Sequence, residues 1–213
     1  MPNIIEFKSK LNGGVRPNLY EVDINFPSGV GDIDELQRQT NFLCRSASLP
    51  THSQGLIEVP FRGRFLKIPG DRTFEAWTAT FYNTEDFNLR GAFEQWINQG
   101  NQVDENIGAI GGYENLMKDI YIRQLSKDSD GQPTNSVVGP TGGARDKNKI
   151  LRVYKLIGAW PTSVGSINVA YDSNDALEEF DVEFQFQYLD ANAPGINPAV
   201  KSTETGWLSS VAT

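Results

Sequence analysis

The sequence predicts a mainly-β (α+β) domain: an antiparallel β-sandwich or partly closed barrel with one packed α-helix. Three observations predict it. Several short stretches alternate apolar and polar side chains, the period of a strand with one face buried. A single stretch carries a long apolar stripe at helical spacing. The chain has 213 residues, 38% hydrophobic and 22% charged, enough for one domain with a sizeable core.

The elements follow in chain order. Residues Asn3 to Leu11 suit a short amphipathic helix, with Ile4, Phe7 and Leu11 on one face and Gly13-Gly14 as its stop. A strand follows at Leu19 to Phe26, where Tyr20, Val22, Ile24 and Phe26 alternate with Glu21, Asp23 and Asn25. Residues 41–48 read as a second strand. Residues 49–74 read as a hairpin that turns near Gly63, with Ile57, Val59 and Phe61 going out and Phe65 and Ile68 returning. Pro50, Pro60 and Pro69 cannot donate ladder hydrogen bonds, so this hairpin belongs at an edge. Arg62, Arg64 and Lys67 put charge there, which also blunts uncontrolled edge pairing.

Phe74 to Tyr82 is rich in aromatic and β-branched residues, as strands are. The helix is expected over Glu85 to Gln99. Thr84 suits its N-cap, and Glu85 and Asp86 suit the positive end of its dipole. Leu89, Phe93, Trp96 and Ile97 form its stripe, and Gly100 ends it. Residues 117–126 and 149–157 alternate again, around a Gly-, Pro-, Ser- and Asp-rich stretch at Lys127 to Asn148. Strand pattern resumes on both sides of it, so it reads as an exposed hairpin insertion and not a domain boundary. The last strand is expected over Glu179 to Leu189. Phe180, Val182, Phe184, Phe186 and Tyr188 face one way, with Glu179, Asp181, Glu183, Gln185 and Gln187 on the other. The expected organisation is one domain over residues 1–190 and an extended or flexible tail over 191–213.

The composition narrows the function. The net charge is -8 and the pI is near 4.7, the wrong sign for a protein that wraps DNA through counterion release. One cysteine, Cys44, permits no intrachain disulfide, which fits folding in a reducing compartment. The N-terminus lacks the pattern of a signal peptide, and no apolar run approaches the ~20 residues of a membrane span. A Ser-His-Asp triad would have to use His52, the only imidazole, and no nucleophile elbow is present. Cys44 reads as an inert thiol in a strand. One Cys and one His cannot build a zinc site. Asp128-Ser-Asp-Gly begins like a calcium loop, but Gln132 holds the third ligand position and no Glu closes it. Gly139 to Lys147 is glycine-rich without the Gly-Lys-Ser/Thr of a phosphate loop. Glu179, Asp181 and Glu183 are the obvious carboxylates for glycoside hydrolysis, yet alternating acids on one strand are more often its solvated face. What the strands offer instead is edges that can pair between neighbours around a symmetry axis.

Five stretches, in order, resemble the tail tube proteins of T-even-like contractile phages. They are GGVRPNLYEVDINFP (13–27), FLCRSASLP (42–50), EVPFRGRFLKIPGDRTFEAWTATFYN (58–83), DFNLRGAFEQWIN (86–98) and WPTSVGSINVAYDSNDALEEFDVEFQFQY (160–188). The IRQLSKD and ILRVYKLIGAWP segments are similar to strands of the same family. The resemblance implies hexameric rings whose sheets join into one barrel around a lumen. Rings stack into the inner tube of a contractile tail, with the helix outside the barrel and an extended hairpin reaching the adjacent ring. It implies no catalysis and no cofactor. The implied partners are other copies of the chain, the tail sheath, baseplate and tail terminator proteins, and double-stranded DNA in transit. The implied location is the phage virion, after assembly in the host bacterial cytoplasm.

Within that resemblance, Arg62, Arg64, Lys67, Asp71 and Arg72 are candidates for the inter-subunit hairpin. Either Glu21 and Asp23, or Glu179, Asp181 and Glu183, are candidates to face the lumen. DNA carries a phosphate per ~1.7 Å, so a basic lumen would hold the genome and an acidic one would leave its passage free. The other reading of the acidity is solubility alone. Two other functions are alternatives: the inner tube of a phage-like, protein-translocating injection system, and a carbohydrate-binding β-sandwich. The lack of a second imidazole makes one expectation concrete. His52→Ala should leave tube assembly, scored by electron microscopy, nearly intact, and should alter no hydrolase or transferase readout.

Overall fold

The computed structural model describes residues 3–11, 14–102, 108, 112–129, 148–171 and 176–192. The insertion expected over 127–148 and the tail expected over 191–213 therefore lie largely outside the described residues, as does the Asp128 loop beyond Ser129. The elements are α1 (Ile4–Leu11), β1 (Tyr20–Ile24), α2 (Ile33–Leu43), β2 (Cys44–Ala47), β3 (His52–Phe61), β4 (Arg64–Phe74), β5 (Trp77–Tyr82), α3 (Asn88–Gly100), α4 (Tyr113–Leu116), β6 (Lys118–Ser129), β7 (Asn148–Val164), β8 (Glu179–Gln185) and β9 (Tyr188–Asn192).

The fold is the expected one: antiparallel sheet with a few helices. Seven strands run in the order β1-β6-β7-β8-β5-β2, with β9 also on β7, and β3-β4 form a separate hairpin. β7 organises the sheet. Its first half pairs β6 on one side and β9 on the other, while Trp160 to Val164 pair β8. The register shifts between Lys118 and Ile120 and again between Pro161 and Ser163, so the ladder bends there. Gly158 sits at this bend with φ +62, a backbone that L side chains rarely adopt, and a Cβ there would meet Gln187 Cγ at 3.0 Å. Two half-sheets result, β1-β6-β7-β9 and β7-β8-β5-β2, joined through one long strand.

Strand alternation fills the space beneath them. Val22 and Ile24 of β1, Trp77, Ala79 and Phe81 of β5, Ile120 and Ile122 of β6, and Phe180, Val182 and Phe184 of β8 are all buried. Helix α3 closes this core with the stripe Leu89, Ala92, Phe93 and Trp96. The Phe93 ring lies 5.5 Å from Phe81, 5.8 Å from Phe184 and 5.4 Å from Phe26, in the tilted and edge-on arrangements that aromatic quadrupoles favour. The two buried indoles are satisfied: Trp96 Nε1 donates to the Leu116 carbonyl at 2.9 Å and Trp77 Nε1 to the Ser48 carbonyl at 2.7 Å. Tyr20 hydroxyl donates to the Cys44 carbonyl at 3.0 Å, and burial pushes the Cys44 thiol up to about 12, so it stays protonated and inert.

Four expectations are corrected. Residues 41–48 are not one strand, because α2 runs to Leu43 and only Cys44–Ala47 is extended. Asp32 caps α2 by accepting from the Asp34 and Glu35 amides. A second helix therefore packs on the core through Leu36 and Thr40. Helix α3 begins at Asn88, and Thr84 is not its cap. Thr84 to Phe87 form a turn closed by the Phe87 amide on the Thr84 carbonyl at 3.0 Å, and the Thr84 hydroxyl is spent on the Asp86 carboxylate. Phe87 stands at the cap position with φ +51 and no side-chain cap bond. The strand expected over Glu179 to Leu189 breaks at Phe186-Gln187, where the chain crosses from one half-sheet to the other. The alternation loses phase there: Phe186 is buried, but Tyr188 is exposed. The strand expected over 149–157 continues to Val164, because its pairing passes from β6 and β9 to β8 without a stop.

The aromatic seam should dominate stability. Phe93→Ala is expected to cost about 3–5 kcal/mol, the range for a buried aromatic truncated to alanine. Chemical denaturation of the unassembled protein would measure it, with an unchanged slope against denaturant.

Candidate assembly surfaces

Burying one face of β8 and β5 against α3 leaves the opposite face free. On β8 that face is Glu179, Asp181 and Glu183, as alternation requires. On β5 it carries Thr78 and Thr80, which stand opposite Glu183 and Asp181. The Thr80 hydroxyl donates to Asp181 at 2.7 Å and in turn accepts from Ser46 at 3.0 Å. Ser163 reaches Glu183 at 3.4 Å, and Arg45 pairs with Glu179. The result is a flat field of hydroxyls and carboxylates holding three acids against one guanidinium. It is open sheet surface, with the carboxylates strung along one strand.

The second acidic set is built differently. Glu21 and Asp23 project from β1 toward Arg123 of β6, at 3.8 and 3.0 Å. Beside them Lys155 pairs with Asp119 at 2.7 Å. The Tyr121 ring lies between the two cations, 5.7 Å from Arg123 and 5.5 Å from Lys155. Burial works against the Lys155 charge, but the bond and charge of Asp119 outweigh it and hold the ammonium above its ordinary range. Glu21 and Asp23 therefore belong to a ladder of partly compensated charge. The structure does not bring the two acidic sets together, since they lie on different half-sheets.

The hairpin β3-β4 is almost entirely uncovered. Every residue from His52 to Phe61 and from Arg64 to Phe74 is exposed except Gly70 and Phe74, which are half-buried. Register puts Ile57 opposite Ile68, Val59 opposite Leu66 and Phe61 opposite Arg64, so one face is an apolar stripe that ends in a guanidinium. On the other face Lys67 meets Glu58 at 3.8 Å. Arg62 and Gly63 make the tip with φ +45 and +80, the positive pair of a two-residue hairpin turn. Arg62 also sits 5.4 Å from the Phe61 ring. Arg64 thus shares the stripe with Phe61, while Asp71 and Arg72 lie nearer the body.

Among the described residues β9 pairs only β7, β3 and β4 pair only each other, and three further strand edges of the large sheet are open. β1 pairs only β6, β2 pairs only β5, and Trp160 to Val164 of β7 pair only β8. Among the described residues no three His, Cys, Asp or Glu side chains are placed to hold a metal, and no helix is long and apolar enough to cross a membrane. The sequence reading missed Arg123, which faces Glu21 and Asp23, and the Lys155–Asp119 pair beside it. Nothing local marks them, because they become partners only through the β1-β6-β7 register.

Known proteins match this arrangement. The family model described as phage tail tube protein matches residues 15–191. The chain is 29% identical over 177 residues to tail tube protein gp19 of Enterobacteria phage T4, covering 81% of this chain and 89% of that one. It is 26% identical over 189 residues to the tail tube protein of Serratia phage KSP90, covering 87% and 95%. Among solved structures it superposes on the tube-terminating cap of the anti-feeding prophage with a TM-score of 0.53 at 18% identity, over 84% of this chain and 91% of that one. That likeness shows the shared fold alone. Spanning nearly the whole described sheet, the family match settles the kinship: the chain belongs to the phage tail tube protein family.

Proposed function

We propose that this chain is the inner-tube subunit of a contractile phage tail, a structural and non-enzymatic virion protein. Hexameric rings of it stack into the conduit for double-stranded DNA. The observation that carries this reading is a hairpin whose apolar stripe is left in water by a chain of this family. A two-stranded hairpin is marginal alone, and exposed Ile57, Val59, Phe61, Leu66 and Ile68 need a protein cover. The open edges of β2 and of Trp160 to Val164 fit ring closure. They bound the same half-sheet on opposite sides, so edge-to-edge pairing of neighbours extends it into a barrel and removes both edges. Sheath, baseplate and terminator proteins are the tube's partners in the virion. The relatives by sequence are phage proteins, which favours DNA over protein as the cargo.

The packing also supports a choice between the two candidate lumen faces. In the tube reading the helix lies outside the barrel. Helix α3 packs on the apolar face of β5 and β8, so their other face looks toward the axis. That assigns Glu179, Asp181 and Glu183 to the lumen, with Thr78 and Thr80 beside them. Three carboxylates against Arg45 alone leave the face net negative, and a fixed negative wall does not collect phosphate contacts ring after ring. Glu21 and Asp23 share Arg123, which cancels one of their two charges, so they supply a weaker field.

Negative-stain microscopy of the concentrated protein should show rings and stacked tubes. Hydrogen exchange should find residues 49–72 protected in the tube and unprotected in the free subunit, and equal protection in both would remove the hairpin from the contact. Asp181→Lys with Glu183→Lys should still form tubes, because neither side chain supports the core. DNA ejection through such tubes should be slowed or blocked, and the defect should ease at high salt. Ejection at the normal rate in low salt would remove the electrostatic role of this face.

A further inference from the structure

We infer that the acidic, aromatic-bearing face of helices α2 and α3 is the receptor for the β3-β4 hairpin of a second copy in the adjacent ring. This rests on the tube reading and names the two surfaces that would hold successive rings together.

The hairpin and the helical face have opposite character in one chain. The hairpin carries Arg62, Arg64, Lys67 and Arg72 against Glu58 and Asp71, in a protein whose net charge is -8. Lys67 already pairs with Glu58, so the unpaired positive charge gathers at the tip, where Arg64 and Arg62 flank the apolar stripe. The helical face runs from Asp32 to Leu43 and from Thr84 to Gly100. It holds six carboxylates, Asp32, Asp34, Glu35, Glu85, Asp86 and Glu94, against only Arg38 and Arg90. Arg38 and Arg90 are themselves engaged by Glu35 and Glu94. Asp34 and Glu85 make no side-chain hydrogen bond or ion pair among the described residues.

Two aromatic side chains interrupt this acidic surface. Phe42 falls on the solvent stripe of α2 with Asp34, Glu35, Arg38 and Asn41, and is 76% exposed. Phe87 is 50% exposed at the start of α3. The two helices are tied between them, where Asn88 Nδ2 donates to Gln39 Oε1 at 3.3 Å. Phe87 also holds a left-handed backbone, φ +51, that a Gly or Asn would adopt with less strain. A bulky ring kept exposed in a strained conformation points to a contact made elsewhere. Apolar surface rimmed by acids complements an apolar stripe ending in guanidiniums.

Charge also rejects the other unpartnered apolar surface. Helix α1 exposes Ile4, Ile5, Phe7 and Leu11, but carries Lys8 and Lys10 against Glu6 alone. A basic hairpin tip would meet like charge there.

The test is reciprocal charge reversal in the full chain. Arg62→Glu with Arg64→Glu, and separately Asp34→Arg with Glu85→Arg, should each leave hexameric rings and denaturation midpoints unchanged. Each pair should raise the concentration needed for stacked tubes about tenfold or more, since it sets like charges face to face. Combining all four should restore stacking. A cysteine pair checks the geometry independently of charge. In a Cys44→Ala background, Phe61→Cys on the stripe, with Phe87→Cys, should form a disulfide in tubes and none in separated rings. If wild-type protein forms no rings or tubes, the tube reading itself fails. If wild-type tubes form but the helix-face reversal stacks normally, the four-fold variant is not rescued, or no disulfide forms in tubes, the docking assignment is overturned and the tube reading stands.

Discussion

Phe93 lies within 6.4 Å, ring centre to ring centre, of Phe26, Phe81, Phe180 and Phe184, and this seam fixes the orientation of everything outside it. A strand has two faces and alternates strictly between them. Once Phe180, Val182 and Phe184 turn toward α3, Glu179, Asp181 and Glu183 have no choice of side. The same step turns Thr78 and Thr80 outward on β5. Each buried ring is worth ~1.5–3 kcal/mol in removed apolar surface, so no surface electrostatic preference could reverse the choice. The chemistry of the exposed polar field is thus decided by core packing.

The subunit is complete as a core and incomplete as a surface. Its interior has no buried side-chain polar atom left unsatisfied among the described residues. Its exterior keeps an apolar hairpin, an apolar helix α1 and open strand edges in water. A free globular protein avoids such features because each invites aggregation. They become coherent if pairing is directed, with edges taken up by neighbours in a ring and the hairpin by a neighbour along the axis. The charges limit errors in this scheme. Prolines 60 and 69 thin the ladder donors of the hairpin, and its guanidiniums discourage it from stacking on another hairpin.

How much of this was legible in the sequence follows from how local each signal is. The hairpin, the strands β1, β5 and β6 and the apolar stripe of α3 were readable because period and turn chemistry are encoded in adjacent residues. Helix α2 was not: its buried stripe includes Thr40 and Gln37 stands beside it, so a weak apolar pattern concealed a helix announced only by its Asp32 cap. The start of α3 was misplaced because Thr84 serves a turn, and nothing in a sequence marks Phe87 for a left-handed backbone. The break at Phe186-Gln187 was invisible because apolar alternation continues through it to Tyr188. Only the bend of β7 at Gly158 shows that one run of sequence serves two half-sheets. The acidic sets were found by residue type, but their inequality was not, since Arg123 and Lys155 are remote in sequence and adjacent only through strand register.

That inequality bears on the acidity of the chain. If negative charge served solubility alone, it would have no reason to avoid one face of the sheet. Instead the β1-β6-β7 face sets Arg123 and Lys155 among Glu21, Asp23 and Asp119, while the β5-β8 face sets Arg45 alone against three acids and the helical face keeps a larger surplus. The hairpin is basic, as is helix α1. In the proposed tube such a partition would place repulsion along the DNA path and attraction where copies meet. Salt then acts on the two in opposite senses: screening relieves the like charges repeated around the lumen and weakens the contact at a hairpin tip. Ring closure as proposed would rely on backbone pairing and apolar burial, which salt does not screen, so ring formation and ring stacking would respond differently to ionic strength. A tube held in this way can be rigid within each ring and tuned between rings by a handful of surface charges.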